Sequence, residues 1–314
     1  MDLDDLQSEL TRAYEQNRET LWGLGYRMLG TSADADEVVQ EAFLRALERP
    51  PARPGPLLPW LVRVTTNLAR DRLRRRKLRG YTGSWLPEPM SDARLDPVLS
   101  APAPVESGPG ARYAQRESLS LAFLLALEEL SPTQRAVLVL RDVFGYSVRE
   151  CAETLDLSQA NVKTTLHRAR KAMASYEARR RPPTPSLAAE IARALEQFLT
   201  CLATGDVQGV LAALAEDVVL LSDGGGEVTA ALLPILGRAK VARFFLRQSA
   251  KRDPEGSFTT GSFNGLPGLV FRQPNAPPGF ARRFLLLSEL DHAGLLSRVL
   301  LVLAPGKLSA VEAA

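Results

Sequence analysis

Residues 131–173 read SPTQRAVLVLRDVFGYSVRECAETLDLSQANVKTTLHRARKAM, and this stretch decides the fold of the middle of the chain. Ser147 with Glu150 three residues later is a capping box, which starts a short helix from Val148 to about Leu155. Asp156 and Leu157 form a tight turn, and Ser158 caps a second helix. Along it Val162, Leu166, Ala169 and Met173 recur at i, i+4, i+7 and i+11, so one stripe faces a core. Gln159, Lys163, Thr164, His167 and Arg170 lie opposite, with Asn161, Arg168 and Lys171 beside them. The first half of this helix holds no carboxylate, whereas an ordinary solvated helix mixes signs and carries acids in its first turn. Amide and basic groups turned outward suit a surface that lies against phosphates, so the segment predicts a helix-turn-helix whose second helix enters a DNA groove.

Composition agrees. The 314 residues carry a formal net charge of only +3, but the cations are bunched. Between Trp60 and Gly80, Arg63, Arg70, Arg72, Arg74, Arg75, Arg76, Lys77 and Arg79 face a single acid, Asp71. A second cluster, Lys163 to Arg181, contains only Glu177 as an acid. Two basic surfaces in a nearly neutral chain suggest a polyanion contacted at two places. Cys151 and Cys201 fall on different predicted helices, so neither a disulfide framework nor a metal site is indicated. The acidic start MDLDDLQSEL is not a signal peptide, and no apolar run approaches a membrane span. These features predict a cytoplasmic chain without a cofactor.

Shifts in composition divide the chain into helical residues 1–80, a Pro-, Gly-, Ser- and Ala-rich linker 81–116, a helical unit 117–178, a Pro-rich linker 179–186 and a tail 187–314. The prolines from Pro182 are expected to stop the recognition helix. In the tail, a helix with Ile191, Leu195, Phe198 and Leu202 on one face and a shorter one near Val207–Leu214 precede β-type runs. Those runs are Val218–Leu221, Val228–Leu236, Ser257–Phe263, Gly268–Phe271, Arg283–Leu290 and Ser297–Leu303. The tail is therefore predicted to be α+β.

Near the N-terminus, Thr31 to Glu37 is a capped, acid-rich helix start. The helix continues to Leu47, with Val39, Phe43 and Leu47 expected to be buried and Asp36, Glu37, Gln40 and Glu41 gathered on the outer side. After the loop Arg49–Pro59, a further helix sets Trp60, Val64, Leu68 and Leu73 inward and its arginines outward.

DEVVQEAFLRAL, PWLVRVTTNLARDRLRRR and the 130–171 stretch, in that order and separation, resemble the two signature regions of the extracytoplasmic-function group of the sigma-70 family. The resemblance covers roughly residues 10–80 and 117–176. YTGSWLPEP at Tyr81–Pro89, DGGGE at Asp223–Glu227 and NGLPG at Asn264–Gly268 are similar to segments of sigma factors with a fused SnoaL-like domain. The implied architecture is multidomain, with two all-α sigma domains and a C-terminal α+β cone. Two positions depart from the common pattern: Glu37 precedes VVQ where Asp is usual, and Glu227 ends DGGGE where Lys is common.

The resemblance implies core RNA polymerase and promoter DNA as partners. It assigns polymerase binding to Asp36, Glu37, Gln40 and Glu41, and the minus-ten element to Arg63, Asn67, Arg70 and Arg74, with the loop Arg49–Pro59 receiving an unstacked base. Gln159, Asn161, Lys163, Thr164, His167, Arg168 and Arg170 fall to the minus-thirty-five element. Trp85, Leu86 and Pro87 would form a regulatory contact with Asp223, Gly224, Gly225 and Gly226. In the tail, His292 reads as a turn residue and neither Asp217 nor Asp223 has an evident partner, so no catalytic residue is assigned. A small-molecule ligand of the tail stays open. Two other classes also stay open: a one-component, ligand-sensing helix-turn-helix regulator, and an enzyme fused to DNA-binding modules.

Overall fold

The computed structural model describes residues 3–48, 57–102, 112–251 and 253–311. Two compact units form. One comprises Met1–Arg79, Arg94–Leu119 and Phe123–Ala178, and the other Gly80–Ala93, Ser120–Ala122 and Arg179–Ala314.

The first unit is built from α1 (Leu3–Leu29), α2 (Ser32–Glu48), α3 (Leu57–Arg79), α5 (Gln115–Ser118), α7 (Pro132–Leu138), α8 (Val148–Leu155) and α9 (Gln159–Ala172), with all but the end residues of α4 (Asp92–Ser100), α6 (Leu121–Ala126) and α10 (Ala174–Arg179). Small residues let α2 approach α1 closely: Ala35, Val38, Val39, Ala42 and Ala46 are buried, and Gly25 of α1 faces Ala35 and Val38. The expected burial of Leu47 is not observed; it is 48% exposed, and Phe43 is half-buried. Each i+4 step overshoots a full turn by about 40°, so two steps carry Leu47 off the stripe begun at Val39. On α3 the buried positions are Leu61, Val62, Thr65, Thr66, Ala69 and Leu73, while Trp60, Val64 and Leu68 are only half-buried.

The 81–116 stretch, read from sequence as a linker, contains α4. Its Leu95 and Val98 are buried, and Arg94 lies over the Trp22 ring at 4.1 Å and pairs with Glu19. The recognition helix α9 ends at Ala172, well before Pro182. Met173 there takes φ −78° and ψ 0°, and its N–H turns to the carbonyls of Ala169 and Lys171. A separate short helix, α10, fills the interval.

The second unit adds α11 (Pro185–Thr204), α12 (Val207–Ala212), α13 (Arg238–Ser249), β1 (Leu214–Asp223), β2 (Ile235–Leu236), β3 (Ser257–Phe263), β4 (Leu266–Arg272), β5 (Arg283–Leu290) and β6 (Leu296–Val302). The sheet order is β2-β1-β6-β5-β4-β3, with β1 and β6 parallel and the other neighbours antiparallel. Leu187, Ile191, Leu195 and Phe198 of α11 and Val241 and Phe245 of α13 pack with Leu220, Leu286, Leu290, Val299 and Leu301 of the sheet. The helix-plus-late-strand pattern expected from the sequence is present.

Two details of that pattern differ. Of the apolar run Val228–Leu236 only Ile235 and Leu236 pair with β1, since Pro234 has no N–H to offer a ladder. Helix α13 was absent from the sequence reading. It buries only Val241, Ala242 and Phe245, a narrow stripe among cations.

Candidate nucleic-acid interface and the docked segment 80–92

The helix-turn-helix forms as its caps dictate. Ser147 accepts from the Glu150 amide at 3.1 Å, and the Ser147 amide donates to the Glu150 carboxylate at 2.7 Å. Those bonds hold the Glu150 carboxyl below its usual range. Asp156 takes the left-handed conformation (φ 56°) that closes α8, and Ser158 caps α9 by accepting from the Asn161 amide. Val162, Leu166, Ala169 and Met173 are buried as spaced.

Gln159, Asn161, Lys163, Thr164, His167 and Arg168 are all exposed, with no acid in the first turn of α9. The Thr165 hydroxyl donates to the Asn161 side-chain oxygen at 3.1 Å. Arg170 is different. Its guanidinium forms a two-pronged pair with the fully buried Asp142, at 2.9 and 2.6 Å, and this pairing raises its pKa. The carbonyl of Asp142 also accepts from the Arg112 and Tyr113 amides, so Arg170 ties α9 to a fixed point inside the unit.

Along α3, Arg63 is exposed, and the exposed Arg74 pairs with Asp71 at 2.8 Å. Arg70 donates to Asn67 and to Thr133, and burial lowers its pKa. Farther along, Arg76 reaches Glu128 at 2.7 Å and Lys77 the Leu130 carbonyl at 3.4 Å. Part of the basic face of α3 therefore packs on residues 128–133. Arg135 is the centre of the same junction: it is buried and donates to the carbonyls of Met28 (2.9 Å) and Leu127 (2.6 Å) while pairing with Glu128 (2.7 Å). The loop Arg49–Pro59 falls largely outside the described residues.

On α2, Glu37 and Gln40 are exposed, while Asp36 and Glu41 are half-buried. Glu37 and Asp34 both pair with Arg72, and Glu41 pairs with Arg45. Leu44 (55% exposed) and Leu47 continue the same outer surface as apolar ground that the sequence reading had placed inward or passed over.

In the second unit, three motifs separated in sequence come together. Asp223 is fully buried, and its carboxylate accepts from the Tyr81 hydroxyl (2.6 Å), the Leu86 amide (2.8 Å) and the Gly225 amide (3.0 Å). It also pairs with Lys307 at 2.7 Å. The Lys307 ammonium donates to the Leu86 carbonyl at 2.6 Å and lies over the rings of Trp85 (4.3 Å) and Tyr81 (5.0 Å). Both carboxylate oxygens of Asp223 are thus engaged twice over, by Tyr81 and Gly225 on one and by Leu86 and Lys307 on the other. Lys307 was missed from the sequence; in APGKL nothing local marks it, because its partners lie 84 and 221 residues away. At the far end of the segment, Asn264, itself at φ 52°, exchanges two bonds with Met90 at 2.9 Å, and Asp92 accepts from Ser262 and Gly265.

The glycine turn has a steric reason. A Cβ on Gly224 would lie 2.4 Å from the Val228 carbonyl oxygen, and Gly225 and Gly226 have φ of 66° and 77°. Gly224→Ala is expected to lower stability by about 2 kcal/mol or more, read as a shifted midpoint in denaturant unfolding.

Residues 13–79 match Sigma-70 region 2, and residues 120–173 match Sigma-70, region 4. The chain is 34% identical over 236 residues to the ECF RNA polymerase sigma factor SigJ of Mycobacterium tuberculosis, covering 74% of this chain and 71% of that protein. It belongs to the extracytoplasmic-function RNA polymerase sigma factors. The crystal structure of Mycobacterium tuberculosis SigJ superposes with a TM-score of 0.71 at 27% identity, covering 96% of this chain and 98% of that one. The sigma factor SigG of the same organism is 35% identical over 188 residues, 53% of this chain and 48% of that protein. As in the expected architecture, this sigma factor joins helical sigma regions to a C-terminal sheet-containing domain. Among the described residues no helix is long and apolar enough to cross a membrane, and no acid, His or Cys cluster has the make-up of a metal site.

Proposed function

We propose that this sigma factor reads the minus-thirty-five element with Gln159, Asn161, Lys163, Thr164, His167 and Arg168. The observation that carries this reading is the acid-free outer face of α9, exposed at each of those six positions. Arg170 sets the pitch of that helix through Asp142 rather than reading a base, because its fork is already committed. Arg63, Asn67, Arg70 and Arg74 grip the minus-ten strand, and Arg70 must first leave Thr133. Asp36, Glu37, Gln40 and Glu41, with Leu44 and Leu47 beside them, meet core RNA polymerase, an apolar centre ringed by charge.

In this reading residues 1–80 and 117–178 work on the promoter, and the domain 187–314 tunes them by holding Trp85, Leu86 and Pro87 against Asp223, Gly224, Gly225 and Gly226. The held segment belongs to the stretch that joins the two promoter-binding regions, so its docking bears on how far apart they can move. The buried Asp223–Lys307 pair around the Leu86 peptide supports this assignment.

Transcription in vitro from the region upstream of its own coding sequence, with core RNA polymerase, tests the reading. A defined start site is expected only when both proteins are present. Lys163→Ala and Arg168→Ala are each expected to weaken promoter binding roughly 5- to 100-fold if they meet bases, or to reduce the salt slope by about one if they meet phosphates. Wild-type promoter affinity and salt slope in both variants would refute the assignment of α9.

A further inference from the structure

The sequence shows two basic clusters at once, but a third becomes visible only on α13. From Val228 to Arg252 the chain holds Arg238, Lys240, Arg243, Arg247, Lys251 and Arg252 and not one acid. Arg238 is neutralised by Glu216 at 3.3 Å. Lys240, Arg243, Arg247 and Lys251 are all exposed, and none makes an ion pair among the described residues. At 3.6 residues per turn Lys240, Arg243 and Arg247 fall within an arc of about 60°, opposite the buried Val241, Ala242 and Phe245, and Lys251 follows two residues beyond the helix. Along the helix axis the first three step by about 4.5 and 6 Å. An ordinary solvated helix in the same unit looks different: on α11, Arg193 stands between Glu190 and Glu196.

We propose that this face of α13 binds the phosphate backbone of duplex DNA, so that the C-terminal domain is itself a DNA-contacting part of the sigma factor. A row of like charges with no acid to offset it is repelled by itself and is relieved by a polyanion of regular charge spacing. Duplex DNA is the polyanion on which this family acts. The contact would be independent of sequence, since lysine and arginine ends spaced along a helix hold a backbone without reading base edges. The proposal does not depend on which residues of α9 or α3 read the promoter.

The test is the salt dependence of binding by the full chain to a mixed-sequence duplex, measured by fluorescence anisotropy with and without core RNA polymerase. Lys240→Gln, Arg243→Gln, Arg247→Gln and Lys251→Gln combined should lower the slope of log Kobs against log[salt] by roughly 2–4. Lys240→Arg, Arg243→Lys, Arg247→Lys and Lys251→Arg combined keeps the charges and should keep the slope. Circular dichroism on both variants should show an unchanged fold, as these side chains are exposed. An unchanged slope in the glutamine variant overturns the proposal. If binding to core polymerase without DNA falls instead, the face belongs to the enzyme, and the proposal is equally overturned.

Discussion

Asp223→Ala is expected to release the segment 80–92 from the C-terminal domain. The substitution removes the acceptor of Tyr81, Leu86 and Gly225 together and strips Lys307 of its counter-charge, although the Lys307 side chain is only 11% exposed. Breaking one side of a buried pair costs about 3–5 kcal/mol, because the remaining charge stays desolvated without compensation. Amide hydrogen exchange is the direct reading: the Leu86 and Met90 amides, both bonded to side chains of the domain, should lose several hundredfold in protection. If segment opening tunes promoter use, transcription should change in the same variant. Pairing Asp223→Ala with Lys307→Met removes both charges and is expected to recover much of the protection, since an apolar replacement of a whole pair is often neutral. Equal protection in Asp223→Ala and the parent would show that the network does not hold the segment. The Trp85 and Leu86 packing would then have to do so alone.

Arg135→Ala is the second large effect. Arg135 is 2% exposed; burial, and to a lesser degree the nearby Arg76, lower its pKa, while Glu128 opposes them and the Met28 and Leu127 carbonyls accept its N–H groups. Its loss takes a charged donor from the Met28 and Leu127 carbonyls inside the helical unit and opens a side-chain-sized void between α1 and α7. The expected cost is about 3–5 kcal/mol, and on a unit of this size that is a fall of roughly 10 °C in Tm by calorimetry. Arg135→Lys should recover only part, because one ammonium cannot span three acceptors that a planar fork reaches. A fall under about 1 kcal/mol would mean that water replaces the guanidinium and that the junction is looser than its geometry implies. The same residue bears on function. Because Arg76, Lys77 and Arg70 of α3 are engaged with residues 128–133, weakening Arg135 should loosen those contacts as well, and nonspecific DNA affinity should rise as stability falls.

Much of the helix-turn-helix was legible in the chain. The capping box at Ser147 and Glu150, the turn at Asp156 and the i, i+4, i+7, i+11 stripe are local signals, and each appears where its spacing predicts. Burial on α2 was less legible, because counting by fours follows a line that drifts around the helix and leads to an exposed Leu47. Helix α13 was obscured for a related reason. Cations occupy its outward positions and only three residues turn inward, so the apolar period is too short to stand out from the flanking β-type runs.

The contrast between Lys163 and Arg170 marks the division most clearly. Both sit on the outer face of α9 by periodicity, yet one is exposed and the other is bound to Asp142, twenty-eight residues earlier in the chain. Local periodicity, caps and turn residues determined which segments are helix, which side of each faces water and that two surfaces are basic, because those properties depend on neighbours within a turn or two. Tertiary structure decided which of those charges are already spent. It tied Arg170 to Asp142, Arg135 to Glu128, and Asp223 to Lys307 and the Leu86 peptide. A charge is costly to bury and finds its partner through space rather than along the chain, so only the assembled fold reveals which cations remain for DNA.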